Sequence, residues 1–264
     1  MSQPDILSRL AEAARQRVAE AKQQVSLAEI RAQALAKGKG DFAFEKALAR
    51  PGLSLICECK QASPSKGQIA TDGYDPVQIA KEYEQAGASC ISVLTEPYWF
   101  KGSNQDLEAV AGAVSLPVLR KDFTVDPYMI YEARVLGAQC VLLISGLLSE
   151  KELKDYLGIA DELGISALVE AHTSEQLEQA IRAGARVLGV NNRNLKDFTV
   201  DFDNALRLRE QVPEDILFVC ESGIKNRADI QAARAMKADA ALIGETLMKA
   251  ADKKACVQEL LDES

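Results

Sequence analysis

The chain has 264 residues, of which 47% are hydrophobic and 27% charged, so it is long enough to bury one large core. One domain spanning residues 1–264 is the first expectation, and two small domains are the second. The net charge of −8 argues against a nucleic-acid surface, which would need a basic stripe, and favours a soluble protein with a small-molecule ligand.

No segment of the sequence predicts membrane insertion or export. The longest apolar run, "CVLLISGLL" from Cys140, is far shorter than the roughly 18 to 20 residues that span a bilayer. The N-terminus contains acidic residues and no continuous apolar stretch, so it fits neither a secretory signal nor a transit peptide. We therefore expect a cytoplasmic protein without a membrane segment.

The N-terminal stretch carries the apolar stripe of an amphipathic helix at three- and four-residue steps: Ile6, Leu10, Ala14, Val18, Ala21 and Val25. We predict one helix over residues 5–36 and a second, short helix over 42–49 that ends before Pro51. Both precede the first strand signal. Residues 1–50 are therefore expected to form a helical extension of the main fold.

Eight short apolar runs follow, alternating with helical patterns: "LSLICEC", "SCISVL", "PVLR", "QCVLLI", "SALVE", "RVLGV", "ILFVCE" and "DAALI". Strands separated by helices predict parallel βαβ units, and runs that are apolar throughout predict a sheet covered on both faces. Eight such units over residues 53–260 favour a closed (β/α)₈ barrel, the TIM barrel of the α/β class, over an open doubly wound sheet.

An internal repeat supports closure of the barrel. "AGASCISVL", "LGAQCVLLI" and "AGARVLGV" begin at residues 86, 136 and 183, and "MKADAALI" at 236 is a looser fourth copy. Each copy places a small or flexible pair at a helix end just before an even-numbered strand. Two βα units repeated four times close evenly at eight strands.

The first predicted strand ends on two opposite charges. Successive side chains of a strand point to opposite faces, so Glu58 and Lys60 share one face and Cys57 and Cys59 share the other. The two cysteines could suggest a metal site, but no second cysteine pair or histidine cluster accompanies them. We expect them to pack in the core as reduced thiols, and we expect no metal.

Polar residues end every predicted strand. In this fold the chemistry lies at the C-terminal ends of the strands. These residues are Glu58 and Lys60, Thr95, Lys121, Ser145, Glu170, Asn191, Glu221 and Ser222, and Gly244. Any one of them alone is better explained as a helix cap or a loop end, but contributions from all eight strands predict a ring of functional groups around one mouth.

The sequence has a single histidine, His172, just beyond the fifth strand, and we interpret it as a solvated loop residue rather than a catalytic base. Lysines and carboxylates must then transfer protons. This requires pKa values moved toward neutrality, upward for a buried carboxylate and downward for a lysine beside another cation. Lys60 and Lys121 would lower each other's pKa if they lie close together, while Glu58 and Glu170 would oppose that shift.

Glycines after the last two strands predict a phosphate site. "ESGIKN" and "IGETLM" each place a Gly where a helix begins, so that backbone N–H groups can face an anion. These two loops form the recurrent phosphate site of the barrel fold. "ASPSKG" after the first strand and "NNRNL" after the sixth offer further donors, although an ordinary turn explains either loop as well.

At these residues the sequence resembles the indole-3-glycerol phosphate synthase family of tryptophan biosynthesis. The segments that carry the resemblance are "ECKQASPSKG", "TEPYWFKGS", "LRKDF", "LVEAH", "GVNNRNL", "ESGI" and "LIGETLM". They occur in order, at strand ends, over most of the chain. "ESGI" and "IGE" are shared with other phosphate-binding barrels, whereas E-x-K-x-x-S-P-S with "KDF" and "NNR" is specific to this family.

The resemblance implies a carboxy-lyase that needs no cofactor. It would close the ring of 1-(2-carboxyphenylamino)-1-deoxyribulose 5-phosphate, an anionic phosphosugar, to form indole-3-glycerol phosphate, CO₂ and water. Lys121 would be the general acid. Lys60, held by Glu58, would pair with the substrate carboxylate or assist dehydration. Glu170 would act as a base or stabilise a cation, and Asn191 and Ser222 would position the substrate.

The same resemblance implies the binding residues. Those around the phosphate would be Ser63, Ser222, Gly223, Gly244 and Glu245, the last two mainly through backbone N–H groups. Those of the apolar slot for the aromatic ring would be Phe100, Phe123, Leu142 and Leu195, with Arg193 nearby. The N-terminal helices would cover the mouth and exclude water, which strengthens oriented charges inside.

Two alternatives remain at this stage. Another phosphosugar barrel, such as an aldolase with Lys60 or Lys121 as a Schiff base, shares the fold and the phosphate loops. A catalytically silent barrel kept as a binding partner would be expected to lack a charged strand-end residue. We expect a monofunctional chain that acts as a monomer, or beside other enzymes of the tryptophan pathway, with no nucleic-acid or membrane partner.

Overall fold

A computed structural model of the chain describes residues 5–70, 73–193, 199–201 and 203–261. Eight strands form a closed parallel barrel: β1 Ser54–Cys59, β2 Cys90–Leu94, β3 Val118–Lys121, β4 Cys140–Ile144, β5 Ser166–Ala171, β6 Val187–Asn191, β7 Leu217–Glu221 and β8 Ala240–Ile243. Each agrees with a predicted apolar run to within a residue or two. A two-stranded hairpin, Ala62–Ser63 with Gly67–Gln68, lies in the loop after β1.

The described helices number twelve: α1 Ile6–Gln24, α2 Leu27–Ala36, α3 Ala43–Leu48, α4 Pro76–Ala86, α5 Asn104–Ala113, α6 Pro127–Val135, α7 Glu150–Leu163, α8 Ser174–Ala183, α9 Asp203–Arg209, α10 Arg227–Ala235, α11 Glu245–Lys249 and α12 Lys253–Leu261. Each strand pairs with its neighbours in sequence, and β1 pairs with β8 to close the ring. The predicted (β/α)₈ barrel is therefore confirmed. Among the described helices, none is long and apolar enough to cross a membrane.

The alternation predicted for β1 is confirmed. Ile56 packs with the apolar cluster inside the barrel, whereas Cys57 and Cys59 pack in the layer between the barrel and the helices, fully buried as free thiols. Burial raises the pKa of the Cys57 thiol, which keeps it neutral. Core packing of the cysteine pair is thus the correct interpretation, and it leaves Glu58 pointing into the barrel.

The N-terminal extension contains a break that the predicted single helix over 5–36 missed. α1 ends at Gln24, and α2 begins at Leu27 with Ser26 as its N-cap. The Ser26 side chain accepts from the Glu29 amide while the Glu29 carboxylate accepts from the Ser26 amide, which is a capping box. The S-x-x-E spacing was visible in the sequence, but the continuous apolar stripe concealed it.

The two ends of the barrel are covered by different helices. At the N-terminal ends of the strands, Phe44 and Leu48 of α3 are fully buried against the first residues of β2 and β4, Cys90 and Cys140. At the C-terminal ends, Leu10 of α1 packs with apolar residues of the mouth. α3 thus seals the bottom of the barrel, and α1 lies beside the open top. The expectation that the N-terminal helices cover the mouth is therefore confirmed for α1 and wrong for α3, whose apolar face packs on the first residues of the strands.

Candidate active site

A cavity of about 490 Å³ opens at the C-terminal ends of the strands. Its lining includes every residue that the resemblance implies for the site except Leu195: Glu58, Lys60, Ser63, Phe100, Lys121, Phe123, Leu142, Glu170, Asn191, Arg193, Ser222, Gly223, Gly244 and Glu245. Thr95 and Ser145, which the strand-end rule also placed around the mouth, do not line the cavity, and the Thr95 hydroxyl donates to Asp122 instead. Leu195 lies outside the described residues. Because these side chains come from all parts of the chain, closure of the barrel is what brings them together.

Glu58 and Lys60 form a close ion pair inside the barrel mouth. The Lys60 Nζ lies 2.7 Å from Oε1 of Glu58, and the Glu58 side chain is almost fully buried. Burial disfavours the charged carboxylate, but Lys60 and Lys121 outweigh it and hold the pKa of Glu58 below its ordinary value. A Cβ at position 244 would collide with both members of the pair, so Gly244 makes room for them.

Lys121 lies between two carboxylates. Its Nζ is 2.9 Å from Oε2 of Glu221 and 3.4 Å from Oε2 of Glu170. Burial lowers the pKa of Lys121, but Glu221, Glu170 and Glu58 more than offset burial and raise it above the ordinary value. The expectation of a lowered lysine pKa was therefore wrong for Lys121, because the surrounding carboxylates outweigh any neighbouring cation. Lys121 is therefore a protonated ammonium at neutral pH.

The sequence predicts a buried carboxylate with a raised pKa but does not say which one. In the structure this carboxylate is Glu221. Burial raises the pKa of Glu221 to about 7; Lys121 opposes this shift, and the negative charge of Glu170 adds to it. Its Oε1 is buried without a hydrogen-bond partner. The side chain occupies space that a Cβ at position 189 would fill. Gly189 inside the run "RVLGV" was the available signal, since a glycine within a strand marks close approach of another group.

The interpretation of His172 as a solvated loop residue was wrong. Its side chain is only 18% exposed, and its Nε2 lies 3.0 Å from Oε1 of Glu170. The Asn191 amide donates to the same oxygen over 3.3 Å. Glu170 is fully buried; burial raises its pKa, but Lys121, His172 and Asn191 together lower it below the ordinary value. Glu170 is therefore ionised at neutral pH.

The loop after β7 has an unusual backbone conformation. Ser222 and Gly223 both have positive φ angles, 65° and 94°. The backbone therefore turns sharply where β7 ends, and both residues line the cavity. The Glu245 carboxylate, which also lies in the lining, contacts Arg193 over 3.4 Å and Lys249 over 2.7 Å. This part of the mouth therefore combines a tight backbone turn with two cations that share one carboxylate.

An apolar wall faces the charged cluster. The Phe100 and Phe123 rings lie 6.1 Å apart between centroids, tilted by 42°. Leu142 of β4 and Leu10 of α1 line the same side of the cavity. Aromatic side chains in this arrangement can pack against a planar ring. The cavity is thus apolar on one side, charged at its floor and cationic at the loops of β6 and β8.

A closed parallel barrel with a charged floor and cationic loops at its C-terminal mouth defines a barrel enzyme that acts on a small phosphosugar-type substrate. Solved structures agree on the fold. A 3-hexulose-6-phosphate synthase superposes with a TM-score of 0.64 at 16% identity, covering 79% of this chain and 98% of that one. A thiamine phosphate pyrophosphorylase from Pyrococcus furiosus gives 0.59 at 16% identity, covering 79% and 94%.

Sequence comparison gives the family. The profile described as indole-3-glycerol phosphate synthase matches residues 7–260. A relative of that name from Ruminiclostridium cellulolyticum is 53% identical, covering 97% of this chain and 98% of its own. Another from Leuconostoc mesenteroides is 56% identical, covering 84% and 86%. The chain belongs to the indole-3-glycerol phosphate synthase family, and is a carboxy-lyase enzyme of tryptophan biosynthesis.

Proposed function

We propose that this chain closes the ring of 1-(2-carboxyphenylamino)-1-deoxyribulose 5-phosphate to give indole-3-glycerol phosphate, CO₂ and water, and that the charged floor of the cavity transfers the protons. The observation that carries the assignment of roles is the Lys121 ammonium, held between Glu221 and Glu170 beside an apolar wall. It is a protonated donor at the place where a substrate carbonyl would lie.

In the first step Lys121 donates a proton to the C2 carbonyl oxygen of the sugar. The aromatic carbon that bears the carboxylate then attacks C2, and the new carbon–carbon bond closes the five-membered ring. Negative charge developing on the carbonyl oxygen is stabilised by an ammonium that is already oriented by two carboxylates, so little reorganisation is needed. The ring nitrogen becomes cationic as the aromatic system is interrupted.

Lys60 pairs with the substrate carboxylate until CO₂ leaves. The Glu58 carboxylate holds the Lys60 ammonium in place over 2.7 Å, and Ser92 contacts the other Glu58 oxygen over 3.4 Å. Loss of CO₂ restores the aromatic ring. This assignment needs Lys60 charged and oriented, which the buried Glu58 provides.

Glu170 acts in the later steps. Lys60, released when the substrate carboxylate leaves as CO₂, donates the proton with which the C2 hydroxyl departs as water. As an ionised carboxylate, Glu170 stabilises the iminium cation so formed, and it then accepts the C1 proton whose loss completes the indole. Asn191 holds one Glu170 oxygen over 3.3 Å, so it fixes the direction in which Glu170 faces the cavity. Ser222, in its positive-φ conformation, positions the substrate from the next strand.

The substrate spans the cavity from the apolar wall to the cationic loops. The carboxyphenyl ring packs with Phe100, Phe123 and Leu142, and Leu195 is proposed to extend this slot. The phosphate binds at the loops after β1, β7 and β8, where the proposed contacts are Ser63, Ser222, Gly223, Gly244 and Glu245, with Arg193 as a cation. Placing the two ends of the substrate in this way holds the reacting carbons together at the charged floor.

A Schiff-base aldolase is the competing function. It needs a lysine that is neutral at working pH, whereas the carboxylates around Lys121 raise its pKa. The experiment is incubation with the carboxyphenylamino-deoxyribulose phosphate while indole fluorescence is followed, with borohydride added to a parallel sample. Product formation without a trapped covalent adduct supports the synthase. A trapped adduct, or no fluorescent product, would overturn it.

We further propose that residues 1–264 form one domain and that the protein works in the cytoplasm as a monomer, alone or beside other enzymes of its pathway. The single-domain part of this proposal is supported by the one closed barrel, whose mouth brings together the proposed catalytic side chains. Sedimentation equilibrium with and without substrate tests it. A mass of twice that of the chain, with activity lost on dilution, would contradict the monomer.

A further inference from the structure

His172 lies at the edge of the charged floor and contacts the proposed base directly. It follows β5 by one residue, and its ring is largely covered by the barrel mouth. Its backbone is held separately, since its amide donates to Gln176 and its carbonyl accepts from Asn204. These backbone contacts hold the loop in place, so the imidazole ring is not needed to anchor it and can bind Glu170.

The contacts of Glu170 decide which protons the His172 ring carries. Glu170 Oε2 faces Lys121, and Oε1 faces the His172 Nε2 and the Asn191 amide. A carboxylate accepts hydrogen bonds, so Nε2 must carry a proton to make this one. This contact makes Nε2 a donor, and the negative charge of Glu170 beside it favours the doubly protonated, cationic ring.

The direction of the His172 pKa shift agrees with a protonated imidazole ring. Burial lowers the pKa of His172, but the hydrogen bond and the charge of Glu170, with Glu221 behind it, outweigh burial and raise the pKa above its ordinary value. The titratable groups that face the ring are Glu170 from β5, Glu221 from β7 and, beyond Glu170, Lys121 from β3. The two carboxylates nearest the ring favour the imidazolium, and the lysine opposes it.

We propose that His172 is a positioning residue for the ring-closure reaction: its imidazolium holds one oxygen of Glu170 and keeps that carboxylate ionised and turned toward the cavity. The inference rests on the proposed role of Glu170. Without His172, the ammonium of Lys121 would draw the Glu170 carboxylate toward β3. With His172 and Asn191 bound to Oε1, the carboxylate is held from both sides, since Lys121 contacts Oε2.

The test compares three variants in the assay with the carboxyphenylamino-deoxyribulose phosphate. His172→Ala removes both the hydrogen bond and the charge. His172→Gln keeps a neutral donor and removes the charge. Asn204→Ala is the matched control, because it removes a contact to the His172 backbone and leaves the ring in place. Stability to urea is measured for each variant alongside kcat and KM.

We expect His172→Ala to lower kcat by about tenfold, with KM changed less than about twofold, because orientation of the base matters more in the transition state than in substrate binding. His172→Gln should recover part of kcat, because its side-chain amide can still donate to Oε1 of Glu170. Asn204→Ala should leave kcat and KM unchanged.

An unchanged kcat in His172→Ala would overturn the inference, as would a fall in kcat that Asn204→Ala reproduces or that comes with a comparable rise in KM. If His172→Ala does not fold, His172→Gln decides, since its kcat should lie below that of wild type with KM changed less than about twofold. Wild-type protein that forms no indole product would instead refute the proposed function. The two failures are therefore distinguishable in the same experiment.

Discussion

The two ends of the barrel are built from the same strands, but one is packed with apolar side chains and the other with charged ones. At the bottom, α3 buries Phe44 and Leu48 among the first residues of the strands, and no carboxylate among the described residues is buried there with them. At the top, Lys121, Glu170 and Glu221 are packed together although their burial costs free energy. The bottom of the barrel thus contributes apolar packing, and the top provides the buried charged groups that can react.

This division follows from strand chemistry. Residues that begin a strand and point inward, such as Cys90 and Cys140, can be covered by one apolar helix. Inward residues that end a strand face a cavity that substrate must enter, so they cannot be covered permanently. Charges buried there are stabilised by one another rather than by water, and each becomes expensive when its partner is removed. Substitutions at the two ends should therefore separate activity from stability.

The largest effect is expected from Lys121→Ala at the top. It should lower kcat/KM on the order of 1,000-fold or more, because it removes the proton donor of the first step. The protein should still fold at pH 7, since Glu221 can bind a proton when the ammonium is gone. Indole fluorescence and urea unfolding measure the two properties. Lys151→Ala is the control, because that ammonium lies exposed on α7.

Activity within about tenfold of wild type in Lys121→Ala would remove the lysine from its central role. Activity lost only together with folding would make Lys121 a structural residue, and the separation of the two ends would then fail at its most important position.

At the bottom, Phe44→Ala should lower the free energy of unfolding by about 3–5 kcal/mol, the range for a buried phenylalanine replaced by alanine. Because the cavity at the top is built by other residues, kcat of the folded protein should stay within about twofold of wild type. Urea titration and the fluorescence assay test this. Leu206→Ala, at a position 48% exposed on α9, should change neither. A catalytic loss comparable to that of Lys121→Ala would show that the two ends are coupled.

The third prediction concerns the pH dependence of stability. Burial raises the pKa of Glu221 to about 7, so the folded chain binds this proton more tightly than the unfolded chain. Its contribution to stability is therefore fully present below the unfolded pKa of about 4.3 and is lost as pH rises through 7. Relative to wild type, Glu221→Gln should gain roughly 3 kcal/mol of stability between pH 4.5 and pH 8.

Urea unfolding at a series of pH values measures this difference. Phe44→Ala is the comparison, and its stability difference from wild type should stay constant over the same range. A constant difference in the free energy of unfolding for Glu221→Gln would mean that Glu221 has its ordinary pKa in the folded chain. Burying the Glu221 charge at the top of the barrel would then cost less free energy than the contacts indicate.

The smallest effect is expected from Glu245→Gln at the rim of the mouth. The Glu245 carboxylate forms ion pairs with Arg193 and Lys249, which face the proposed phosphate site. Removing its charge should tighten inhibition by inorganic phosphate by about threefold, because the cations are no longer shared with a carboxylate and a like charge is removed. Glu259→Gln on α12 is the matched control. Weaker inhibition would show that Glu245 helps to hold these cations in a productive position.

Strand number, strand order and the inward direction of Glu58 could be predicted because they depend on local rules. Alternation along "LICECK" separates Glu58 from Cys57 and Cys59, and eight apolar runs with helices between them leave few topologies. The break between α1 and α2 could also have been predicted, since Ser26 and Glu29 form a capping box within one turn. A continuous apolar stripe was given more weight than that signal.

The sequence by itself determined the barrel, the residues at its mouth and the family, because periodicity, strand ends and motif order are properties of contiguous residues. Only the tertiary structure decided that Lys121 lies closest to Glu221, that Gly189 makes room for that carboxylate, and that His172 contacts Glu170. Those facts depend on distances between side chains, most of them on separate strands of the barrel. Such distances, and the pKa shifts that follow from them, exist only once the ring has closed.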